Sequence, residues 1–140
     1  MIKQISVFLE NRSSRLVALT DVLTANGVHI VSVSLSDSTE YALLRMIVSH
    51  PDKAAQILKD NGFSVSVNNV LVVGMPKGQG SLNEMMQVIS DCDIEYIYTL
   101  SAKHENVYMV VKVADVYSAI AMLERANYIV ATDEVVFSMN

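Results

Sequence analysis

Two hydrophobic rhythms alternate along the chain. Between Lys3 and Leu9 the apolar residues Ile5, Val7 and Leu9 fall on one side, with Gln4, Ser6 and Phe8 on the other. That is the period-two pattern of a half-buried strand. The period then lengthens. Leu16, Leu19, Val22 and Leu23 recur at helical spacing, Ser13 or Ser14 can cap the start, and Asn26-Gly27 stops the run. Val28 to Leu35 is rich in β-branched residues, Asp37-Ser38-Thr39-Glu40 is turn chemistry, and Tyr41 to Val48 alternates again, which predicts a hairpin. His50-Pro51-Asp52 opens a second helix with His50 as its cap, Ala54, Ala55, Ile57 and Leu58 form its apolar face, and Asn61-Gly62 ends it. Phe63 to Val67 makes a fourth strand, so the order is βαββαβ.

The order then repeats. Val70 to Met75 reads as strand, Leu82, Met85, Met86 and Ile89 as a helix stripe, Ile94 to Ser101 and Val107 to Val113 as a hairpin. Asp115 caps a helix with the face Ala119, Ile120, Met122 and Leu123, and Tyr128 to Ala131 is the next strand. Ser81-Leu82-Asn83-Glu84 has the form of a capping box. After one residue is removed at the hairpin turn, Leu58 matches Leu123 and Phe63 matches Tyr128. Val135 to Ser138 falls where a further strand is expected. Split βαβ units of this order give antiparallel sheets with both helices on one face. The predicted class is α+β: two ferredoxin-like βαββαβ units, residues 1–69 and 70–140, joined tightly at Asn68-Asn69. Leu16, Leu19, Leu23, Leu82, Met86 and Ile89 are expected in the cores.

Composition adds an expectation about assembly. An apolar fraction of 51% and a mean hydropathy of +0.34 are high for 140 residues. Together with the open strand edges of such sheets, they predict burial between halves or between chains, and at least a homodimer. Residues 1–70 carry six Lys/Arg against six Asp/Glu, while 71–140 carry four against nine, for a net charge of -5. That balance argues against nucleic acid, which needs clustered positive charge. Met1-Ile2-Lys3-Gln4-Ile5 enters a strand directly and no apolar run approaches the roughly 18 residues of a membrane span, so a cytoplasmic location without membrane attachment is expected. The single cysteine, Cys92, reads as a buried small hydrophobe on a helix face.

Candidate chemistry lies where strand turns into helix. Glu10-Asn11-Arg12-Ser13-Ser14-Arg15-Leu16 and Pro76-Lys77-Gly78-Gln79-Gly80-Ser81-Leu82 each join a strand to a helix N-terminus. Unpaired N–H groups and the positive end of the helix dipole there favour a carboxylate or phosphate. Arg12, Arg15 and Lys77 add charge, and Gly78 and Gly80 permit close backbone approach. Tyr96 and Tyr98 share a strand face and could stack on a ligand or pack in the fold. His104 reads as a solvated turn residue, and three scattered histidines with one cysteine make no metal site. No cofactor is called for. Catalytic constellations are missing from the sequence: no Ser/His/Asp set stands out, the strand Tyr41 to Val48 offers no phosphate-binding Asn partner, and Leu43-Leu44-Arg45-Met46 and Met109-Val110-Val111-Lys112 lack the aromatic residues of an RNA-recognition sheet.

Val7-Phe8-Leu9-Glu10-Asn11-Arg12-Ser13-Ser14-Arg15-Leu16, followed after the helix by Asn26-Gly27-Val28-His29-Ile30, resembles an ACT domain. Val72-Val73-Gly74-Met75-Pro76, Gly80-Ser81-Leu82 and Asp93-Ile94-Glu95-Tyr96 resemble a second one. The family's Pro-Gly is Ser13-Ser14 and Gln79-Gly80, and its ligand-facing Asn is His29 and Glu95. The resemblance implies a non-catalytic regulatory module that binds a free amino acid or related carboxylate at the interface between ACT domains. The implied contacts are Asn11 to Leu16, His29, Ile30, Lys77 to Leu82 and Tyr96. It leaves open an enzyme partner under its control. The alternative is a ligand-free module for protein association.

Overall fold

The computed structural model describes residues 1–10, 12–37 and 41–139. The turn expected at Ser38-Thr39-Glu40, the loop residue Asn11 and the terminal Asn140 lie outside them. The elements are β1 (Ile2–Leu9), α1 (Arg12–Ala25), β2 (Ile30–Asp37), β3 (Ala42–Val48), α2 (Pro51–Asp60), β4 (Ser64–Pro76), α3 (Ser81–Val88), β5 (Ile94–Lys103), β6 (Asn106–Val113), α4 (Val116–Arg125), β7 (Ile129–Val130) and α5 (Asp133–Phe137), with a 3-10 turn at Ser90–Cys92. The chain divides into two compact units, Lys3–Asn68 and Met1–Ile2 with the chain from Asn69 on.

In the first unit β3 pairs antiparallel with both β1 and β2, and β4 follows on the far side of β1. Paired residues point to the same side of a sheet, so the register Ile5↔Met46 and Val7↔Leu44 aligns the apolar positions of the two strands. Leu19 and Leu23 from α1 and Ala54, Ala55 and Leu58 from α2 close over that side as one core. On the reverse side of β1, which also carries Phe8, the buried polar groups are satisfied: the Gln4 Nε2 donates to Ser6 Oγ at 3.3 Å, and Ser6 Oγ donates to Asn68 Oδ1 at 2.9 Å.

The second unit repeats the scheme in the order β5-β6-β4, with β7 on the other side of β4. Leu71, Val73, Met75, Met109, Val111 and Val113 meet Met85 and Ile89 of α3 and Ala119 and Leu123 of α4. The matched helix ends also close alike: the Phe63 N–H donates to the Leu58 carbonyl at 3.0 Å, and the Tyr128 N–H to the Leu123 carbonyl at 2.9 Å. Cys92 is buried in the 3-10 turn rather than on a helix, with Sγ 3.8 Å from Met122 Sδ.

Several local expectations are corrected. α1 starts at Arg12, so Ser13 and Ser14 lie within its first turn and do not cap it. α3 is capped by Gly80 at φ 85°, and the Glu84 N–H donates to the Gly80 carbonyl at 3.0 Å, so Ser81 begins the helix and the capping box does not form. His50 occupies the N-cap position of α2 without a side-chain cap bond, because its Nδ1 is 2.9 Å from Ser49 Oγ. Asp115 does cap α4, accepting from the Ser118 N–H. Asn68-Asn69 does not break the chain, and β4 runs through it as one strand. Leu82 is 40% exposed in the first turn of the eight-residue α3, where the core line through Met85 and Ile89 has run out, and Leu16 and Met86 are only partly buried. The expected strand Val135 to Ser138 is instead α5: Asp133 and Glu134 in its first turn suit the helix dipole, and Val136 is buried.

Candidate functional site

The first strand-to-helix junction is a helical turn rather than an open loop. A helix that begins at Arg12 leaves the amides of Arg12, Ser13 and Ser14 without helical partners, while Arg15 and Leu16 lie further in. Ser13 and Ser14 are exposed. The half-buried Arg15 is already engaged: its guanidinium lies 3.9 Å from the centroid of the Phe63 ring, and Nη2 donates to the Gly62 carbonyl at 3.4 Å. It lines a cavity of about 340 Å³ with Phe8, Glu10, Gly62 and Ser64. The second junction is more open. Lys77, Gly78, Gln79 and Gly80 are exposed, Gly78 and Gly80 have φ of 144° and 85°, and the Lys77 N–H donates to the Glu105 carbonyl at 2.9 Å. The Ser81 N–H reaches the Gly78 carbonyl at 3.4 Å, which leaves Leu82 and Asn83 as the free first-turn donors of α3 by helix geometry.

A second pair of equivalent places lies at the opposite ends of these helices. In the first unit Thr24, Gly27, Val28, His29 and Ile30 line a groove of about 440 Å³. In the second, Asn83, Met86, Gln87, Ser90, Asp93, Ile94 and Glu95 line one of about 510 Å³. The matching segments are Gly27-Val28-His29-Ile30 in one unit and Asp93-Ile94-Glu95 in the other, with Tyr96, the counterpart of Ile30, outside the second lining. Gly27 and Asp93 both adopt positive φ, 71° and 56°, so the turn that presents the groove is built alike although only one copy uses glycine. His29 is exposed at the rim; its N–H donates to Ser49 Oγ and its carbonyl accepts from the Ser49 N–H, both at 2.9 Å. Glu95 is 3.8 Å from Lys112 Nζ. Tyr96 stacks on Tyr98, with centroids 6.4 Å apart and planes 17° from parallel.

The predicted residues are therefore spread over separate places. Arg15 belongs to the cavity beside α1, His29 and Ile30 to the first groove, and Lys77 to Leu82 to the start of α3. Asn83, Met86, Gln87, Ser90 and Asp93 were not singled out from sequence. Mapping Gly27–Ile30 onto the second repeat reaches Asp93-Ile94-Glu95-Tyr96, the segment quoted for the second resemblance, of which only Tyr96 was an expected contact. Among the described residues, no group of three or more His, Cys, Asp or Glu could hold a metal ion, and no helix is long and apolar enough to cross a membrane.

Two βαββαβ units in one chain, with strand-to-helix junctions and grooves repeated at matching positions, define a tandem ferredoxin-like architecture. The chain matches the family model of the ACT domain pair over residues 1–137 and belongs to that family. Among solved structures it is similar to protein BT0572 from Bacteroides thetaiotaomicron, at 32% identity over 94% of each chain with a TM-score of 0.86. It also shares its fold with the regulatory subunit of aspartate kinase from Thermus thermophilus in its ligand-free form, at 16% identity over 89% of this chain and 91% of that one, TM-score 0.64. The regulatory subunit from Thermus flavus is similar at 15% identity over 89% and 92%, TM-score 0.63. Comparison with curated proteins finds no match.

Proposed function

We propose that this ACT domain pair is a non-catalytic regulatory sensor. Residues 1–69 and 70–140 are taken as its two domains, and its ligand is a free amino acid or a related carboxylate, held at an interface between ACT domains. The observation that carries the reading is the repeated groove at Gly27–Ile30 and Asp93–Glu95, where the family's ligand-facing Asn is replaced by His29 and Glu95. The first-turn amides of α1 and α3, at the other ends of these helices, are a separate place that favours a carboxylate. The groove linings of the second unit, with Asn83, Gln87 and Ser90 beside Met86 and Ile94, suit an amphipathic small molecule that needs a few directed hydrogen bonds over apolar surface. By fold analogy with aspartate kinase regulatory subunits, the controlled partner is an enzyme, the working assembly is a homodimer or larger homo-oligomer, and the location is cytoplasmic.

Thermal-shift screening against the free amino acids tests this. A specific ligand at a hundredfold excess over Kd stabilises by about 2.7 kcal/mol, which raises Tm by several degrees. No shift with any amino acid or small carboxylate would favour the ligand-free association module instead.

A further inference from the structure

We propose that the segment after β7 is a displaceable strap: it lies across the side of the second unit's sheet turned away from α3 and α4, and yields that side to a protein segment of like chemistry. In the register of β4 with β6, the pairs Leu71↔Val111 and Val73↔Met109 point into the core that these helices close. The alternate pairs Val72↔Val110 and Gly74↔Tyr108 point to the reverse side. Val72, Tyr108 and Val110 are nevertheless buried, so something other than α3 and α4 covers them.

The path of the chain supplies the cover. The Ala131 N–H donates to the Val72 carbonyl at 2.8 Å and extends the β7 pairing along β4. Further on, Lys103 Nζ donates to Ser138 Oγ at 3.1 Å. Lys103 pairs with Asn106, which shares the even positions of β6 with Tyr108 and Val110, so it stands on the reverse side of the edge strand β5. To join these two points, residues 132–137 cross β4 and β6 on the reverse side. The buried residues of the crossing, Val136 and Met139, are one helical turn apart, with the Met139 N–H donating to the Val136 carbonyl at 3.1 Å. The repeat makes the same point from the other direction. Val72 matches Ser6 and Val110 matches Arg45, so these two positions are polar in the first unit and apolar where the strap lies.

The strap is lightly held. β7 has two residues and α5 five, and Thr132 at the N-cap makes no side-chain cap bond. Beyond the β7 ladder, its hold is Val136, Met139 and the Lys103 hydrogen bond. A segment with so few buried contacts opens at lower free energy than the strands beneath it. Opening uncovers Val72, Tyr108 and Val110 with Lys103 at the rim. That surface suits a short helical segment with apolar residues at i and i+3 and a hydroxyl or carboxylate for Lys103, which is the chemistry of the strap itself.

The test uses the full chain and no small ligand, so its outcome is separate from the sensor reading. Hydrogen exchange followed by mass spectrometry should show residues 133–139 exchanging about tenfold or more faster than 107–113, through an opening that leaves the sheet closed. Lys103→Ala should speed the first further and leave the second unchanged. Val136→Lys should detach the strap while the far-UV circular dichroism of the sheet is retained. A fluorescent peptide of residues 131–139 should then bind that variant about tenfold or more tighter than the unaltered chain, whose own strap occupies the face. A smaller difference in exchange between strap and sheet, no effect of Lys103→Ala, unfolding of the second unit by Val136→Lys, or a peptide that binds both chains alike or neither would each overturn the proposal.

Discussion

Gly74 separates two opposing terms, and replacing it by alanine shows which prevails. Glycine inside a strand costs about 0.5–1 kcal/mol relative to alanine through backbone entropy, so in open space Gly74→Ala would stabilise. Here the space is filled. A Cβ at position 74 would stand 2.8 Å from Tyr108 Cε1, and 3.2 Å from both Tyr108 Cζ and Ile129 Cβ. Non-bonded carbons prefer about 3.5–4.0 Å, so the closest contact is short by most of an ångström. Tyr108, directly opposite in the register, is only 6% exposed and cannot swing into solvent. Ile129 can move, but it belongs to the two-residue β7, tied to β4 by Gly74↔Ile129 and Val73↔Val130. Overpacking of this kind costs about 1–3 kcal/mol, so after the entropy gain the net expectation is a loss of about 1–2 kcal/mol. Urea denaturation followed by far-UV circular dichroism and tyrosine fluorescence reads it where the two transitions coincide. In a Tyr108→Val background the same substitution should become neutral or favourable, which makes the coupling explicit. A Gly74→Ala variant as stable as the parent, or an equal penalty in both backgrounds, would refute the steric argument.

Ser14→Leu should leave stability within about 0.5 kcal/mol, since Ser14 is exposed in a helical turn, but should block a ligand carboxylate at α1; calorimetry with an identified ligand reads this, and unchanged affinity removes that junction from the site. At the second junction Gln79→Leu is the matching probe, because Gly80 at φ 85° would be strained by any side chain. Arg15→Ala should destabilise by about 0.5–1.5 kcal/mol in urea through loss of the Phe63 contact and of stem packing, whether or not ligand is present. Burial pushes the Cys92 thiol up, with Asp115, Asp91 and Asp93 adding to it. The native thiol therefore keeps its proton where the unfolded one loses it, so its contribution to stability is full below pH about 8.5 and declines as pH rises further. Stability profiles of the parent and Cys92→Ala should diverge in that range, and rapid alkylation of the native thiol at pH 8 would contradict the reading.

Long periodic segments were legible because one face of each element must meet a core: β1, β3, α2, β6 and α4 fall close to where alternation or helical spacing puts them. Boundaries were not, because chain-end chemistry competes with periodicity. Ser13 and Ser14 are good capping residues, but α1 begins one residue earlier, and Gly80 takes the cap of α3 through its left-handed backbone, which no side-chain rule anticipates. Asn68-Asn69 looks like a break because asparagine favours turns, whereas the Ser6 hydroxyl bonds the Asn68 side chain and the strand continues. At Asp133-Glu134 the dipole and first-turn acids outweigh two β-branched valines. The candidate site was legible only as segments. That Arg15 is drawn onto Phe63, and that Gln87 and Ser90 share a groove with Glu95, depends on contacts between elements that periodicity does not encode.

The repeat separates frame from chemistry. Gly62 and Asn127 take the same left-handed turn after α2 and α4, as Gly27 and Asp93 do before β2 and β5. Each position tolerates a non-glycine residue in one copy because Asn and Asp accept positive φ at lower cost than other side chains. Backbone geometry is thus held in common while the groove rims differ, with an imidazole at position 29 and a carboxylate at position 95. A carboxylate opposes an anionic group and attracts an ammonium, whereas an imidazole can donate or accept a hydrogen bond. Two grooves with one frame and unlike rims are suited to different ligands, or to different ends of similar ones, so occupancy of one carries no implication for the other.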